Sequence, residues 1–270
     1  MRINPQNAEN LFKMEKYLVS IIMPSYNCGR YVEETIHSVQ AQTYQKWEII
    51  FVDDCSADDT VRLVSELREK DPRIKLFYNH VNSGAAVSRN KALREARGRW
   101  IAFLDSDDLW ESTKLEKQVR FMEENGYAFS YTEYQEMDSE GALMGVVISG
   151  PNHVTKRGMY NFCWPGCLTV MYDASVIGQI QIEDIKKNND YAMWLKVCKK
   201  ADCYLLPEVL AKYRRGRSGS VSSHSIMTMI GWHYKLWHEA EHRNAVASLW
   251  LTGVNLLFGF YKKLKYVKKA

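Results

Sequence analysis

Between Leu18 and Leu104 the chain switches back and forth between two spacings of apolar residues. Residues 18–23, 48–52, 74–78 and 100–104 form short, β-branched or aromatic runs that predict buried strands. The segments between them repeat apolar positions three or four apart: Val32, Ile36 and Val39 within 31–43; Val61, Val64, Leu67 and the stem of Arg68 within 58–70; Val87, Leu93 and Ala96 within 85–97. That spacing predicts helices with one buried face. Ser56 followed by Asp59 has the form of a capping box at the second of them. Strand and helix in alternation imply parallel strands joined by right-handed crossovers, hence an α/β fold with an open, mostly parallel sheet flanked by helices. Ligands of such sheets bind beyond the carboxyl ends of the strands. Three of those ends carry Pro24-Ser25-Tyr26-Asn27, Asp53-Asp54 and Asp105-Ser106-Asp107-Asp108.

Past residue 125 the pattern is less regular. A strand is predicted over 127–131, turns up to Gly158, an apolar run at 167–171, and a helix over 190–200 that buries Met193, Trp194 and Val197 and leaves Asp190 in its first turn. Residues 227–270 read as helices rich in tryptophan, phenylalanine and lysine. The composition, 46% hydrophobic and 25% charged over 270 residues, is that of an ordinary globular protein and excludes a disordered chain or a disulfide-stapled miniprotein. A net charge of +4 is too small to suggest a nucleic-acid binder. From residue 209 onward, however, eleven Lys or Arg face two acids, so the basic charge belongs to the C-terminal part. The six cysteines are scattered without metal or redox spacing and read as reduced thiols. The first 17 residues are polar, and no apolar run is long enough to span a bilayer, which predicts a cytoplasmic protein without a spanning helix.

Asp105 and Asp107, one residue apart at a strand end, project the same way if the strand geometry continues. Both then reach one cation, and a hard Mg²⁺ or Mn²⁺ is held by one or two carboxylates plus phosphate oxygens. The plainer alternative is a turn leading into a helix near Ser112. The matches occur in order: Val19-Ser20-Ile21-Ile22-Met23-Pro24-Ser25-Tyr26-Asn27, then Ser38-Val39-Gln40-Ala41-Gln42-Thr43-Tyr44, Val52-Asp53-Asp54-Cys55-Ser56, Asn82-Ser83-Gly84 through Ser88-Arg89-Asn90, and Phe103-Leu104-Asp105-Ser106-Asp107-Asp108. Together they resemble glycosyltransferase family 2, over residues 18 to about 222. The resemblance implies a GT-A fold, a nucleoside-diphosphate sugar as donor, Mn²⁺ or Mg²⁺ as cofactor, and inverting transfer. It places Pro24, Tyr26, Asp54 and Arg89 on the nucleotide, with Tyr26 stacking and Asp54 accepting from a uracil imide. Asp105 would hold the ribose or a metal-bound water, and Asp107 the metal itself.

Inverting transfer needs a general base on the acceptor side. Asn189-Asp190-Tyr191-Ala192-Met193-Trp194 is similar to the family's Glu-Asp-x-x-x-Trp segment, which makes Asp190 the expected base and Asn189 a departure from the pattern. Residues 213–222 resemble a flexible loop that closes over the nucleotide, with Arg214 and Arg217 as candidates for the diphosphate and His224 as a further candidate metal ligand. On this reading residues 1–17 are a polar N-terminal segment, 18–222 the catalytic domain (18–110 for the nucleotide, 111–222 for the acceptor) and 223–270 a helical basic and aromatic extension. That extension either packs on the catalytic domain or lies on a membrane surface with Leu256, Leu257, Phe258 and Phe260 inserted, the latter implying a lipid-linked glycan acceptor. The function expected is transfer from a UDP-sugar to a glycan hydroxyl in polysaccharide biosynthesis. Two other classes fit the acidic α/β site: sugar-phosphate nucleotidyl transfer, which would not need Asp190, and a non-catalytic nucleotide-sugar-binding subunit.

Overall fold

The computed structural model describes residues 15–185, 187–216 and 226–269. Four parallel strands form its N-terminal half, in the order β3 (Ile74–Tyr78), β2 (Trp47–Asp53), β1 (Glu15–Ser25), β4 (Gly98–Phe103). Every residue of β2 is buried, as expected of a parallel strand covered on both faces. The period of two divides the apolar residues: Val19, Ile21, Ile49 and Phe51 feed the core on one side of the sheet, and Ile22, Ile50, Val52 and Phe103 the core on the other.

The first side is covered by α1 (Val32–Gln40), α2 (Thr60–Lys70) and α4 (Lys114–Asn125), the second by α3 (Ala85–Glu95) and, further along, α7 (Asn189–Cys198). Helix α1 buries Val32, Ile36 and Val39 as its spacing predicts. In α2 the buried set is Thr60, Val64 and Leu67, with Arg68 exposed, and α3 buries Ala86, Ser88, Arg89, Ala92 and Leu93. Small residues dominate the α3 face because this helix packs directly across β1 and β2. The capping box does not form. Asp58, not Ser56, accepts from the Thr60 amide (3.1 Å), while Ser56 Oγ accepts from the Asn27 amide (2.9 Å).

Beyond β4 the sheet turns antiparallel through β9 (Met171–Asp173), β6 (Phe129–Met137), β7 (Leu143–Ile148) and β11 (Val267–Lys269). Off this path β10 (Cys203–Arg214) runs parallel to β6 and antiparallel to the two-residue strands β5 (Leu109–Trp110) and β8 (His153–Val154). Two short helices, α5 (Lys156–Asn161) and α6 (Ala174–Ile177), sit beside this half. The C-terminal part contributes α8 (Ile226–Lys235), a π-turn at Leu236–Ala240 and the long α9 (Ala245–Lys265), which packs on α5 and leads into the edge strand β11. None of the six cysteines, all among the described residues, forms a disulfide.

Candidate active site

The carboxyl ends of β1, β2 and β4 open on one cavity of about 510 Å³, closed on its far side by the start of α7, the 166–168 segment and the end of β10. That size suits a small-molecule ligand. Pro24, Tyr26, Asp54, Arg89, Asp105, Asp107, Asp190 and Arg214 all line it, so the predicted residues from both halves meet at one place. Arg217 and His224 lie outside the described residues.

The wall after β1 is built by interlocked turns. Asn27 takes a left-handed φ of 49°, and its Oδ1 accepts from the Ala57 amide at 2.8 Å. Tyr26 is thereby held at the rim with 46% of its surface exposed, available as a flat platform. Asp54 is buried and serves as a hub. Its Oδ1 accepts from Asn79 Nδ2 (2.7 Å) and the Ser83 amide (2.9 Å), and its Oδ2 accepts from the Gly84 amide (2.7 Å). Three of a carboxylate's roughly four acceptor positions are thus taken by the loop leading into α3. Gly84, with φ 88°, supplies the backbone shape this close approach needs.

Strand geometry stops at Phe103, so the alternation expected for Asp105 and Asp107 does not apply. Residues 105–108 form a tight turn closed by the Asp108 amide donating to the Asp105 carbonyl at 3.1 Å. The turn still directs both carboxylates to the cavity. Its far end is fixed by Asp108, which is buried and accepts from the Arg214 amide at 2.8 Å. Arg214 is buried as well. Its Nε donates to the Asp107 carbonyl (2.8 Å), Nη1 to the Ser139 carbonyl (3.2 Å) and Nη2 to Glu34 Oε2 (2.7 Å), and the guanidinium lies 4.7 Å from the Tyr31 ring centre. Arg214, the expected diphosphate ligand, lines the cavity and also holds the acidic turn in place.

Arg89 connects the two sides of the cavity. It is buried, lines the cavity, and its Nη2 donates to Asp105 Oδ1 (2.6 Å) while Nη1 donates to Asn189 Oδ1 (2.8 Å). Burial alone would lower its pKa, but the negative field of Asp105, with that of Asp190, reverses the direction and raises it. Asn189, where the family pattern has Glu, thus accepts from this guanidinium without bringing a second charge. Asp190 follows it in the first turn of α7, with Oδ1 accepting from the Tyr191 amide at 2.8 Å. Burial raises the Asp190 pKa; Arg89 and the Tyr191 amide pull it down, and Asp105 adds to the rise, leaving the net shift upward. A carboxylate shifted in this direction is a stronger base.

For a metal, Asp105 keeps a third of its side chain exposed in the cavity beside Asp107. Among the described residues no three His, Cys, Asp or Glu side chains converge into a complete cage. Two carboxylates facing a polar cavity do fit a hard divalent ion that keeps its other positions for phosphate and water. Sequence reasoning missed Asn79, Asp108 and Glu34, whose partners lie 25, 106 and 180 residues away along the chain. The 164–167 loop reaches the cavity through Gly166 and Cys167, whereas Trp164 is buried and donates Nε1 to the Gly158 carbonyl at 3.0 Å. Burial pushes the Cys167 thiol well up, which keeps it protonated and unreactive.

Comparison with known proteins agrees with this layout. The TuaG protein of Bacillus subtilis (strain 168), named for teichuronic acid biosynthesis, is 47% identical over 200 residues, covering 74% of this chain and 79% of that protein. The Escherichia coli WfgD, a UDP-Glc:alpha-D-GlcNAc-diphosphoundecaprenol beta-1,3-glucosyltransferase, is 40% identical over 212 residues, covering 78% and 81%. Among solved structures, S. aureus TarS 1-349 with UDP-GlcNAc superposes with a TM-score of 0.68 at 21% identity, over 92% of this chain and 73% of that one. The mannosyltransferase PcManGT from Pyrobaculum calidifontis, in complex with GDP-Man and Mn2+, gives 0.61 at 16% identity, over 95% and 81%. These likenesses establish the GT-A architecture. The family profile described as "Glycosyl transferase family 2" matches residues 20–167, from β1 through the acidic turn to the 164–167 loop, and the chain belongs to that family.

Proposed function

We propose that the protein transfers a hexosyl or N-acetylhexosaminyl residue from a UDP-sugar, with inversion, to a hydroxyl of a lipid-linked glycan, on the cytoplasmic side of a membrane. The observation that carries this reading is the meeting of Tyr26, Asp54, Asp105 and Asp107 with Asp190 around one cavity, the acid facing the donor-side group from the opposite wall. The E. coli relative's name, which specifies a UDP-glucose donor and a diphosphoundecaprenol-linked acceptor, supports the choice of nucleotide and acceptor class. In this reading 18–110 bind the nucleotide, 111–222 the acceptor, and 223–270 form an extension.

Tyr26 stacks on the base, and the remaining acceptor position of Asp54 accepts a hydrogen bond from the imide N–H. Asp107, with Asp105, is the set that would hold Mn²⁺ or Mg²⁺; the ion would supply charge neutralisation for the departing diphosphate. Asp190 accepts the proton of the attacking hydroxyl, and its raised pKa matches that task. Arg89 keeps Asp105 and α7 in register so that donor and base face each other. The test is sugar transfer or donor hydrolysis with either metal. Asp190→Asn and Asp107→Ala should each lower turnover by about a hundredfold or more, with UDP binding retained in the first. Full activity in either variant contradicts the assignment, and pyrophosphate release would place the protein among nucleotidyltransferases.

A further inference from the structure

Helix α9 is turned inside out relative to a helix that faces water. Its fully buried positions are polar, Ser248, Thr252 and Asn255, with Leu251 and Phe258 partly buried against the core beside them, and are followed on the same face by Gly259, whose Cα side lies so near Phe162 that a Cβ would come within 3.0 Å of the ring. Its outward positions are apolar: Val246, Leu249, Trp250, Leu257, Phe260 and Leu264 are 61–78% exposed. Positions 246, 250, 253, 257, 260 and 264 advance by alternating steps of four and three, so they form one stripe along all six turns. A monomeric soluble protein rarely leaves a contiguous apolar strip of this kind in water. Among the described residues no helix is long and apolar enough to cross a membrane, and the polar inner face of α9 is already engaged by the protein, so this helix cannot be a span.

We infer that the outer face of α9 is a docking surface for an anionic lipid bilayer, on which the helix lies in plane. The inference rests on the proposed lipid-linked acceptor for its purpose and on the helix alone for its physics. Charge selects the occupant. Lys263, Lys265, Lys268 and Lys269 are exposed at the C-terminal end of the stripe, and no Asp or Glu follows Glu241. A second copy pairing through a heptad-like seam would need acids flanking the stripe to meet these lysines, and α9 contains none. Anionic headgroups meet them directly, with Trp250, Phe260 and Tyr261 at the depth where aromatic rings are favoured. The stripe differs from the sequence-based expectation: Leu257 and Phe260 face outward, but Phe258 packs inward, 6.2 Å from Trp164. The inner face ties the surface to the cavity. Asn255 Nδ2 donates to Tyr191 Oη (3.2 Å), next to Asp190, and Lys262 Nζ donates to the carbonyl of Trp164 (2.8 Å), two residues from the cavity-lining Gly166. A bilayer under α9 would thus lie against the acceptor-side half of the cavity wall.

The experiment is co-flotation of the full chain with vesicles of phosphatidylcholine alone or mixed with phosphatidylglycerol. Binding should require the anionic lipid, fall about tenfold or more in Leu257→Glu/Phe260→Glu protein, and fall similarly at about 0.5 M salt. Both substituted positions are exposed, so the variant should keep its unfolding midpoint and its donor hydrolysis without vesicles, which separates failure here from failure of the transferase assignment. Absence of the chain from floated vesicles of both kinds overturns the inference. A dimer in light scattering that the same double variant dissociates, without vesicle binding, overturns it in favour of a second copy.

Discussion

Asp190 is held between two opposing demands: burial raises its pKa, and the Arg89 guanidinium limits that rise. Substituting Arg89 by Gln removes the cation but keeps an amide able to reach one partner. The rising limb of kcat/KM against pH should then move to higher pH, and activity at neutral pH should fall by roughly tenfold or more. An unmoved limb with reduced activity would assign Arg89 to fold alone. The same shift makes a stability prediction. An acid whose folded pKa is raised contributes stability fully below its unfolded pKa and loses it as pH rises through the folded value. At neutral pH the raised pKa of Asp190 therefore weakens the fold, and Asp190→Asn should melt a few degrees higher at pH 7, with the gain vanishing near pH 4. Asp54, Asp105 and Asp107 were legible because each follows a strand end, and Asp190 because it opens a predicted helix in a segment that resembles the family's. The role of Arg89 was not, because a buried arginine on a predicted helix face is indistinguishable from a solvated one until its partners 16 and 100 residues away are known.

At the level of elements, the acidic turn and the end of β10 depend on one side chain. Arg214 closes the 105–108 turn, the Ser139 turn and the start of α1 together. Arg214→Ala leaves two half-buried carbonyls without donors, and should cost about 1–3 kcal/mol in urea unfolding, with the Glu34 pair adding little because that carboxylate is half exposed. Arg214→Lys should recover only part, since one ammonium cannot reproduce the forked contacts. Metal-dependent UDP binding should weaken in both, as Asp107 loses the restraint on its backbone. The parallel strands β1 to β4 could be read from sequence because burial on both faces gives continuous apolar runs. Strand β10 escaped the same reading. Its segment Cys203–Arg214 contains Pro207, Glu208 and Lys212, and the register against β6 shifts between Leu206 and Val209, so no clean alternation survives. The edge strand Val267–Lys269 carries two lysines, residues that protect an exposed edge and hide a strand from hydrophobic pattern reading.

Across the whole molecule, the long C-terminal helix has two faces with separable tasks, and a pair of variants distinguishes them. On the inner face Asn255 is the bolt: its Oδ1 accepts from Trp237 Nε1 (3.0 Å), and its Nδ2 donates to the carbonyls of Tyr160 (3.0 Å) and Asn161 (2.8 Å) and to Tyr191 Oη. One amide thus joins the π-turn, α5, α7 and α9. A buried asparagine so fully engaged is replaced poorly by any apolar residue, because Asn255→Leu would strand an indole N–H and two carbonyls at once. The cost should be about 2–4 kcal/mol, seen as a lower unfolding midpoint, and turnover on a water-soluble acceptor should fall because Tyr191, one residue from Asp190, loses its anchor. The outer-face double variant should leave both quantities unchanged and affect only vesicle binding. A C-terminal extension that was merely a solvated tail would behave the opposite way for Asn255, with neither midpoint nor turnover moving. Composition and periodicity located this helix and its lysines, but not the direction it faces: its polar and apolar stripes are equally regular, and only the placement of Asn255 against Trp237 and Tyr191 shows that the polar stripe is the one turned inward.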